Sequence, residues 1–128
     1  MIYPELSKLV LDAAFKVHRV LGPGLLESPY HNALYYELCR SCARVIYNAA
    51  YEIVYEGETV GEYFADLAVE GKIILEIKAV ATLGKEHEAQ LLNYLHISGC
   101  SLGFLLNFSP RQLQFRRLVL QHSGVPSL

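Results

Sequence analysis

The 128-residue sequence lacks the features that mark a membrane, secreted or multidomain protein. No apolar run is long enough to span a bilayer, and the longest candidates, such as Leu102 to Leu106, have the length of a strand. The segment from Met1 to Lys16 carries acidic residues early and has no unbroken apolar stretch, so we expect no signal peptide. Internal repeats and linker-like stretches are also missing. These absences predict one domain over residues 1–128, with no membrane partner and with a frayed tail at 121–128.

Cysteine is scarce, and the three that occur form no disulfide pattern. Cys39 and Cys42 make a C-x-x-C pair within a predicted helix, and Cys100 lies far from both. An odd number of cysteines favours a reducing cytosol, so we expect a cytoplasmic protein. A redox C-x-x-C motif needs a strand-to-helix setting, which this pair lacks. Free thiols that are buried or partly exposed are therefore expected.

A strong positive charge is missing as well, since the net charge is −2 at pH 7. Domains that bind nucleic acids tightly are usually basic, so only weak nucleic-acid affinity is expected. The acidic residues crowd the middle of the chain, whereas Arg111, Arg116 and Arg117 cluster near its end. A bound divalent ion would offset part of the central negative charge. The acidic balance also fits a protein that forms a homo-oligomer or needs a protein partner.

The residues that are present are organised around the stretch from Asp66 to Lys78, which is typical of two strands joined by a turn at Glu70-Gly71-Lys72. Side chains alternate along a strand, so Glu76 and Lys78 share one face and have apolar neighbours there. Charged groups in such a setting are costly unless they are paired, bound to a metal or catalytic. This stretch is therefore the first candidate for a functional site.

Whether Asp66 shares the face of Glu76 depends on the turn. A two-residue loop would place the two carboxylates on opposite faces, whereas a three-residue loop or a bulge would place them on the same face. Gly71 tolerates the positive φ that a bulged turn needs, and we predict the bulged or odd-length version. The carboxylates would then repel each other unless a cation lay between them, and Mg²⁺ takes oxygen ligands of this kind.

Hydrophobic spacing along the chain predicts an α/β fold with a mixed central sheet of about five strands flanked by helices. Helices are expected at about 5–21, 26–42 and 84–98, and strands besides the one that carries Glu76 at about 45–55, 59–69, 102–108 and 113–119. In the last strand Arg117 points with the apolar residues. That is unusual for arginine unless its guanidinium reaches a carboxylate or a phosphate.

Three groups of residues resemble a known family, and they occur in the order that this family shows. The groups are Gly24-x-x-Glu27-x-x-Tyr30, Asp66 followed by Glu76-x-Lys78, and Gln90-x-x-x-Tyr94. The first resembles the signature of the small GxxExxY proteins, the second the core of the PD-(D/E)XK nuclease superfamily to which they belong, and the third a helix of RecB-like nucleases. The resemblance covers nearly the whole chain and implies one domain with a restriction-endonuclease-like core.

The resemblance implies a nuclease that uses Mg²⁺ or Mn²⁺ to hydrolyse phosphodiester bonds of DNA or RNA. It implies that Asp66 and Glu76 hold the ion, with the backbone carbonyl of Ile77 as a possible further ligand. Lys78 would orient the attacking water or stabilise the charge on the phosphorane. Glu27 would hold a second ion or its water, although an acid at a helix N-terminus is also favoured by the helix dipole.

Substrate contacts are also implied by the resemblance, in which Gln90 would position the water or the phosphate and Tyr94 would contact the substrate. Arg117 is a candidate for substrate binding because of its position among the apolar residues of the last strand. Gln90 and Tyr94 also fit a polar helix edge above the sheet. Tyr30 is a further candidate for substrate binding, yet a packing role with a hydrogen-bonded hydroxyl suits it better. The alternative function is a non-catalytic module that binds nucleic acid or protein on the same fold.

Overall fold

The structure is a computed structural model that describes residues 2–41 and 44–122. Within them the elements are α1 (Pro4–Leu21), α2 (Glu27–Ser41), β1 (Val45–Tyr55), β2 (Glu58–Val69), β3 (Ile73–Lys78), α3 (Lys85–Ser98), β4 (Leu102–Phe108) and β5 (Leu113–Val119). The helices and strands that the spacing predicts are all present, with ends that shift by about one or two residues. The predicted helix end at Cys42 lies outside the described residues, as do residues 123–128 of the predicted frayed tail. The other cysteine of the C-x-x-C pair, Cys39, is an exposed free thiol on α2. No helix in the described part of the chain is long and apolar enough to cross a bilayer.

The five strands form one sheet in the order β1-β2-β3-β4-β5. β3 and β4 run parallel, and the other neighbouring pairs are antiparallel. A parallel pair needs a crossover connection, which α3 supplies between β3 and β4. Helices α1 and α2 pack on the opposite face of the sheet. The predicted mixed α/β sheet of five strands flanked by helices is therefore confirmed.

Buried side chains form one layer on each side of the sheet. Beneath α1 and α2 the central strand β3 contributes Ile73, Leu75 and Ile77. Beneath α3 the sheet contributes Ala68 and Ile74. β3 and β4 are buried along nearly their whole length, because helices cover them from both sides. A charged side chain on β3 is consequently held within an apolar layer.

A three-residue loop joins β2 to β3. Val69 pairs with Ile73, so Glu70, Gly71 and Lys72 make the turn. Glu70 and Gly71 have positive φ angles of 56° and 65°, and the N–H of Lys72 donates to the carbonyl of Val69 at 2.9 Å. An odd loop length places the two acids of the flanking strands on the same face. The predicted bulged or odd-length turn is confirmed.

The β1–β2 hairpin extends past the rest of the sheet. Its strands pair from Val45 with Val69 to Tyr55 with Glu58, whereas β3 pairs with β2 only near the end of that strand. The projecting part carries exposed apolar side chains, among them Tyr63. One side of this extension overlooks α3, because Tyr63 contacts a tyrosine of that helix. The hairpin and α3 therefore form the two walls of a cleft.

Candidate active site

The two acids that the sequence predicts to converge do so at the point where β2 and β3 separate. The backbone N–H of Asp66 donates to Oε2 of Glu76 at 2.8 Å, and the N–H of Ile77 donates to Oδ2 of Asp66 at 2.7 Å. The regular ladder ends one residue earlier, at Leu67 paired with Leu75. The carboxylates thus serve as acceptors for two backbone N–H groups beyond the end of the ladder. This crossed pair of hydrogen bonds holds both carboxylates next to each other on the α3 face.

The electrostatic environment of this pair disfavours two full negative charges. Glu76 is 3% exposed, and the pKa of its carboxyl is raised to about 8, mainly by burial and next by the charge of Asp66. The N–H of Asp66 and the ammonium of Lys78 partly oppose this rise. Glu27 adds a smaller rise, so it lies within electrostatic range of the pair. At neutral pH the pair therefore retains a proton, which a divalent cation would displace.

Lys78 follows Glu76 on the same face of β3 and is partly buried. Its ammonium lies close enough to lower the pKa of the Glu76 carboxyl, yet its hydrogen bond goes to Oε1 of Gln90 on α3, at 3.1 Å. The bond to a neutral amide fixes the position of the ammonium without neutralising its charge. The structure therefore brings the predicted residues Lys78 and Gln90 together beside the carboxylate pair.

Tyr94 lies behind the carboxylates on α3. The pKa of its phenol is raised to about 12, mainly by burial and further by the charges of Glu76 and Asp66 and by the neighbouring Tyr63. The rings of Tyr63 and Tyr94 meet edge to face, with their centroids 5.8 Å apart. Tyr94 thus keeps its proton and is a hydrogen-bond donor next to the pair. A cleft of about 550 Å³ between α3 and β2 is lined by Tyr63, His87, Gln90, Asn93 and Tyr94.

The loop before α2 explains why Gly24 and Tyr30 accompany Glu27. Gly24 has a φ of 95°, which disfavours other residue types. Tyr30 is fully buried, and its hydroxyl donates to the carbonyl of Gly22 at 2.6 Å and accepts the N–H of Leu25 at 3.2 Å. This geometry favours the packing role of Tyr30 over contact with a substrate. The hydrogen bonds of Tyr30 hold the loop that leads directly to Glu27, which is exposed at the start of α2.

His31 is a residue of the site that the sequence interpretation missed. Its Nε2 is 2.9 Å from the backbone carbonyl of Asp66, and its ring stacks on Tyr47 with centroids 4.1 Å apart. The contact ties α2 to the residue of β2 that carries the first acid. One signal was available, because His31 lies four residues after Glu27 and thus shares its helix face.

Asn107 of β4 was also missed. It is fully buried, its Oδ1 accepts the N–H of Val80, and its Nδ2 donates to the carbonyl of Val80, both at 2.9 Å. The side chain fixes the segment that leaves β3 just after Lys78. A lone amide inside the apolar run of β4 was the available signal, because a buried amide has to find partners.

Arg117 is not brought to the carboxylate pair. β5 presents Phe115 and Arg117 toward α1, where both line a cavity with Phe15 and Phe104. The prediction that Arg117 points with the apolar residues of its strand is confirmed. Its contact with a substrate stays a prediction, and alternation along β5 places the guanidinium on the α1 side, whereas the pair faces α3.

A divalent cation suits the donors that the pair offers. The two backbone hydrogen bonds use Oε2 of Glu76 and Oδ2 of Asp66, which leaves Oε1 and Oδ1 as the remaining carboxylate oxygens. Across residues 2–41 and 44–122, no group of three or more His, Cys, Asp and Glu side chains is arranged to hold an ion. A cation bound here would therefore complete its coordination with water or backbone oxygen, as is usual for Mg²⁺.

Comparisons with known proteins bear on this arrangement. The sequence profile of the PD-(D/E)XK nuclease superfamily matches residues 4–118. A search of curated proteins found no match. The crystal structure of SSO0001 is similar, with a TM-score of 0.62 and 19% identity over 93% of this chain. The match spans 59% of the SSO0001 chain, and at this identity it supports the fold alone. The restriction-endonuclease-like fold is thereby confirmed, whereas membership of the GxxExxY branch stays a prediction.

Proposed function

We propose that this chain, which belongs to the PD-(D/E)XK nuclease superfamily, is a divalent-metal-dependent nuclease. It hydrolyses phosphodiester bonds of DNA or RNA. The observation that carries the proposal is the crossed hydrogen bonding of Asp66 and Glu76, with Lys78 on the same face of β3. Two converging acids beside one cation are the groups that metal-assisted phosphodiester hydrolysis needs.

Asp66 and Glu76 are the proposed ligands for Mg²⁺ or Mn²⁺, and the backbone carbonyl of Ile77 is a possible third. Their remaining oxygens and their charge support this role, since hard cations prefer carboxylate oxygen. When bound, such an ion lowers the pKa of a coordinated water and withdraws charge from a phosphoryl oxygen. The two backbone N–H groups hold the carboxylates in one orientation before any ligand arrives.

Lys78 and Gln90 are proposed to act on the phosphate. The ammonium of Lys78 donates to a non-bridging oxygen as negative charge accumulates there, or orients the attacking water. Gln90 restrains the ammonium through Oε1, and its amide nitrogen remains as a donor to the phosphate. Glu27, exposed at the start of α2 and within electrostatic range of Glu76, is proposed to hold the attacking water or a second ion.

The cleft between α3 and β2 is the proposed path of the nucleic acid. Tyr63 is 46% exposed there and offers a ring on which a base can stack, while His87 and Asn93 offer polar atoms. Tyr94 donates from its protonated hydroxyl near the scissile phosphate. The net charge of −2 supports weak binding with few phosphate contacts, and the odd number of cysteines supports a cytoplasmic location.

A cleavage screen tests the proposal. Single- and double-stranded DNA, RNA, and nicked and flapped duplexes are incubated at low salt with Mg²⁺ or Mn²⁺. The wild type should cut at least one substrate, and Asp66→Asn should lose that activity and its calorimetric Mn²⁺ binding. Asp12→Asn is the matched control, since Asp12 is an exposed partner of Lys8 on α1.

The screen also separates the nuclease from the binding module. If no substrate is cut, or if Asp66→Asn cuts as well as the wild type, the enzyme proposal is abandoned. Binding of the same oligonucleotides without cleavage and without dependence on Mn²⁺ would then support the non-catalytic module instead.

A further inference from the structure

We propose that the cavity between α1 and β5 is a second ligand site, which binds a small aromatic carboxylate through Arg117 and Ser7. The cavity has a volume of about 410 Å³, and its lining includes Ser7, Leu11, Phe15, Phe104, Phe115 and Arg117. It lies on the side of the sheet that faces α1, whereas the carboxylate pair faces α3. The proposal therefore does not depend on the proposed nuclease activity.

Two polar atoms in this cavity lack partners. Among the described residues, Ser7 Oγ and Arg117 Nε are the buried side-chain nitrogen and oxygen atoms without a hydrogen bond, and both residues line this one cavity. Ser7 is 4% exposed, so water reaches its hydroxyl poorly. A buried donor without an acceptor is costly, and the guanidinium is costlier than the hydroxyl. Both atoms therefore lack an acceptor that a ligand bound in the cavity they line would supply.

The charges around the cavity indicate an anion. At the rim Lys8 and Asp12 pair with each other at 2.7 Å, so their charges offset. The charge of Arg117 then remains to be balanced. Its Nε–H and an adjacent Nη–H form a fork that matches the two oxygens of a carboxylate. A carboxylate carries a single charge and is easier to desolvate in an apolar cavity than a phosphate dianion is.

The walls of the cavity indicate an aromatic body on that anion. Phe15 and Phe115 meet edge to face with centroids 6.4 Å apart, and Phe104 and Phe115 are 6.3 Å apart. Aromatic rings favour further aromatic rings in edge-to-face or offset arrangements. Leu11 adds an aliphatic side. The site thus offers a polar end at Ser7 and Arg117 and an aromatic end, where Phe104 is buried and Phe15 and Phe115 are partly open to solvent.

The test is a titration of the full chain with 3-phenylpropanoate, followed by NMR at Arg117 Nε–H and the Leu11 methyl groups. Saturable shifts at both positions are expected. Parallel titrations use acetate, which lacks the ring, 3-phenylpropanamide, which lacks the charge, and phenyl phosphate. Acetate and 3-phenylpropanamide should each bind at least about tenfold more weakly, since each loses one part of the recognition. Phenyl phosphate should also bind more weakly, because its second negative charge costs more to desolvate. Tighter binding of phenyl phosphate than of 3-phenylpropanoate would overturn the choice of a carboxylate.

Variants locate the binding on these residues. Arg117→Gln and Ser7→Ala should each weaken the binding of 3-phenylpropanoate. For Arg117→Gln the Kd should rise by about tenfold or more. Ser7→Ala removes one hydroxyl from a helix and should preserve the fold, which keeps the test valid if Arg117→Gln proves unstable. Arg116→Gln is the matched control, because Arg116 lies on the other side of β5 and reaches Glu88. The proposal would be overturned if no binding is seen with 3-phenylpropanoate at about 10 mM, which is about the weakest useful Kd. It would also be overturned if Ser7→Ala and Arg117→Gln bind as tightly as the wild type.

Discussion

The two sides of β3 place opposite kinds of chemistry on alternate residues of one strand. Leu75 and Ile77 enter the core beneath α1 and α2, where packing alone satisfies them. Glu76 and Lys78 face α3, where crossed hydrogen bonds and Gln90 hold them and where the pKa of Glu76 is raised. One strand thus supplies stability from one side and a reactive site from the other. Changes on the two sides should have separable effects.

The largest effect is expected on the apolar side. Leu75→Ala should lower the free energy of unfolding by about 2–5 kcal/mol, because a fully buried leucine is removed from a layer covered by helices. Urea unfolding measures the change. Leu92→Ala, on the exposed side of α3, is the control and should cost much less. A loss of less than about 1 kcal/mol for Leu75→Ala would contradict the idea that this side carries the stability.

A pH change should weaken the protein through the other side. The pKa of the Glu76 carboxyl rises from 4.5 to about 8 on folding, so between these values the folded state keeps a proton that the unfolded chain has lost. Folding then takes up a proton. The free energy of unfolding should therefore fall as pH rises from about 5 to about 8, by up to about 4 kcal/mol. Urea unfolding at several pH values without divalent ions measures this slope.

The control for this slope is the neutral isostere. Glu76→Gln keeps an oxygen that accepts the N–H of Asp66, so the variant should fold and should show a much flatter pH dependence. Glu62→Gln, at an exposed position of β2, should retain the wild-type slope. Equal slopes in all three proteins would show that Glu76 is not the titrating group.

The functional role of the polar side should appear in Lys78. Lys78→Ala should reduce cleavage by about 100-fold or more, since removing one preorganised donor to a developing charge costs about 3 kcal/mol. Lys78→Met should lose the activity to the same degree while remaining folded, because an apolar side chain of similar length removes a desolvation cost. Cleavage rates and melting temperatures are measured together. Lys85→Ala, at the start of α3, is the control and should cleave at the wild-type rate. A large loss of melting temperature in Lys78→Met would instead show that Lys78 is a structural ion-pair partner.

The smallest effect is expected at the loop that presents Glu27. Tyr30→Phe removes the hydroxyl that joins Gly22 to Leu25 and should cost about 1 kcal/mol of stability. It should change the cleavage rate less than Lys78→Ala does. Tyr36→Phe, at an exposed position of α2, is the matched control. A cleavage defect in Tyr30→Phe as large as that of Lys78→Ala would show that this hydroxyl acts on the substrate.

Much of the site could be predicted from local spacing. Alternation alone puts Glu76 and Lys78 on one face, and the four-residue helical interval puts Gln90 and Tyr94 on one side of α3. These relations hold within a single element, so no knowledge of packing is needed. His31 and Asn107 were not predicted, because their hydrogen-bond partners are the backbone of Asp66 and of Val80, which lie far away in sequence. Local patterns carry no information about such contacts.

Local patterns predict which residues share a face, where most elements begin and end, and that Gly71 permits a turn with positive φ. Which helix covers each face follows only from the packing of the whole chain. Arg117 shows the difference, since its alignment with the apolar residues of β5 follows from the pattern, whereas its position beneath α1 follows from the packing. The convergence of Asp66 and Glu76 also depended on the odd loop and on the early end of the β2–β3 ladder. The physical reason is that side-chain direction is a local property of the backbone, whereas neighbours are set by how complete elements bury their apolar surfaces.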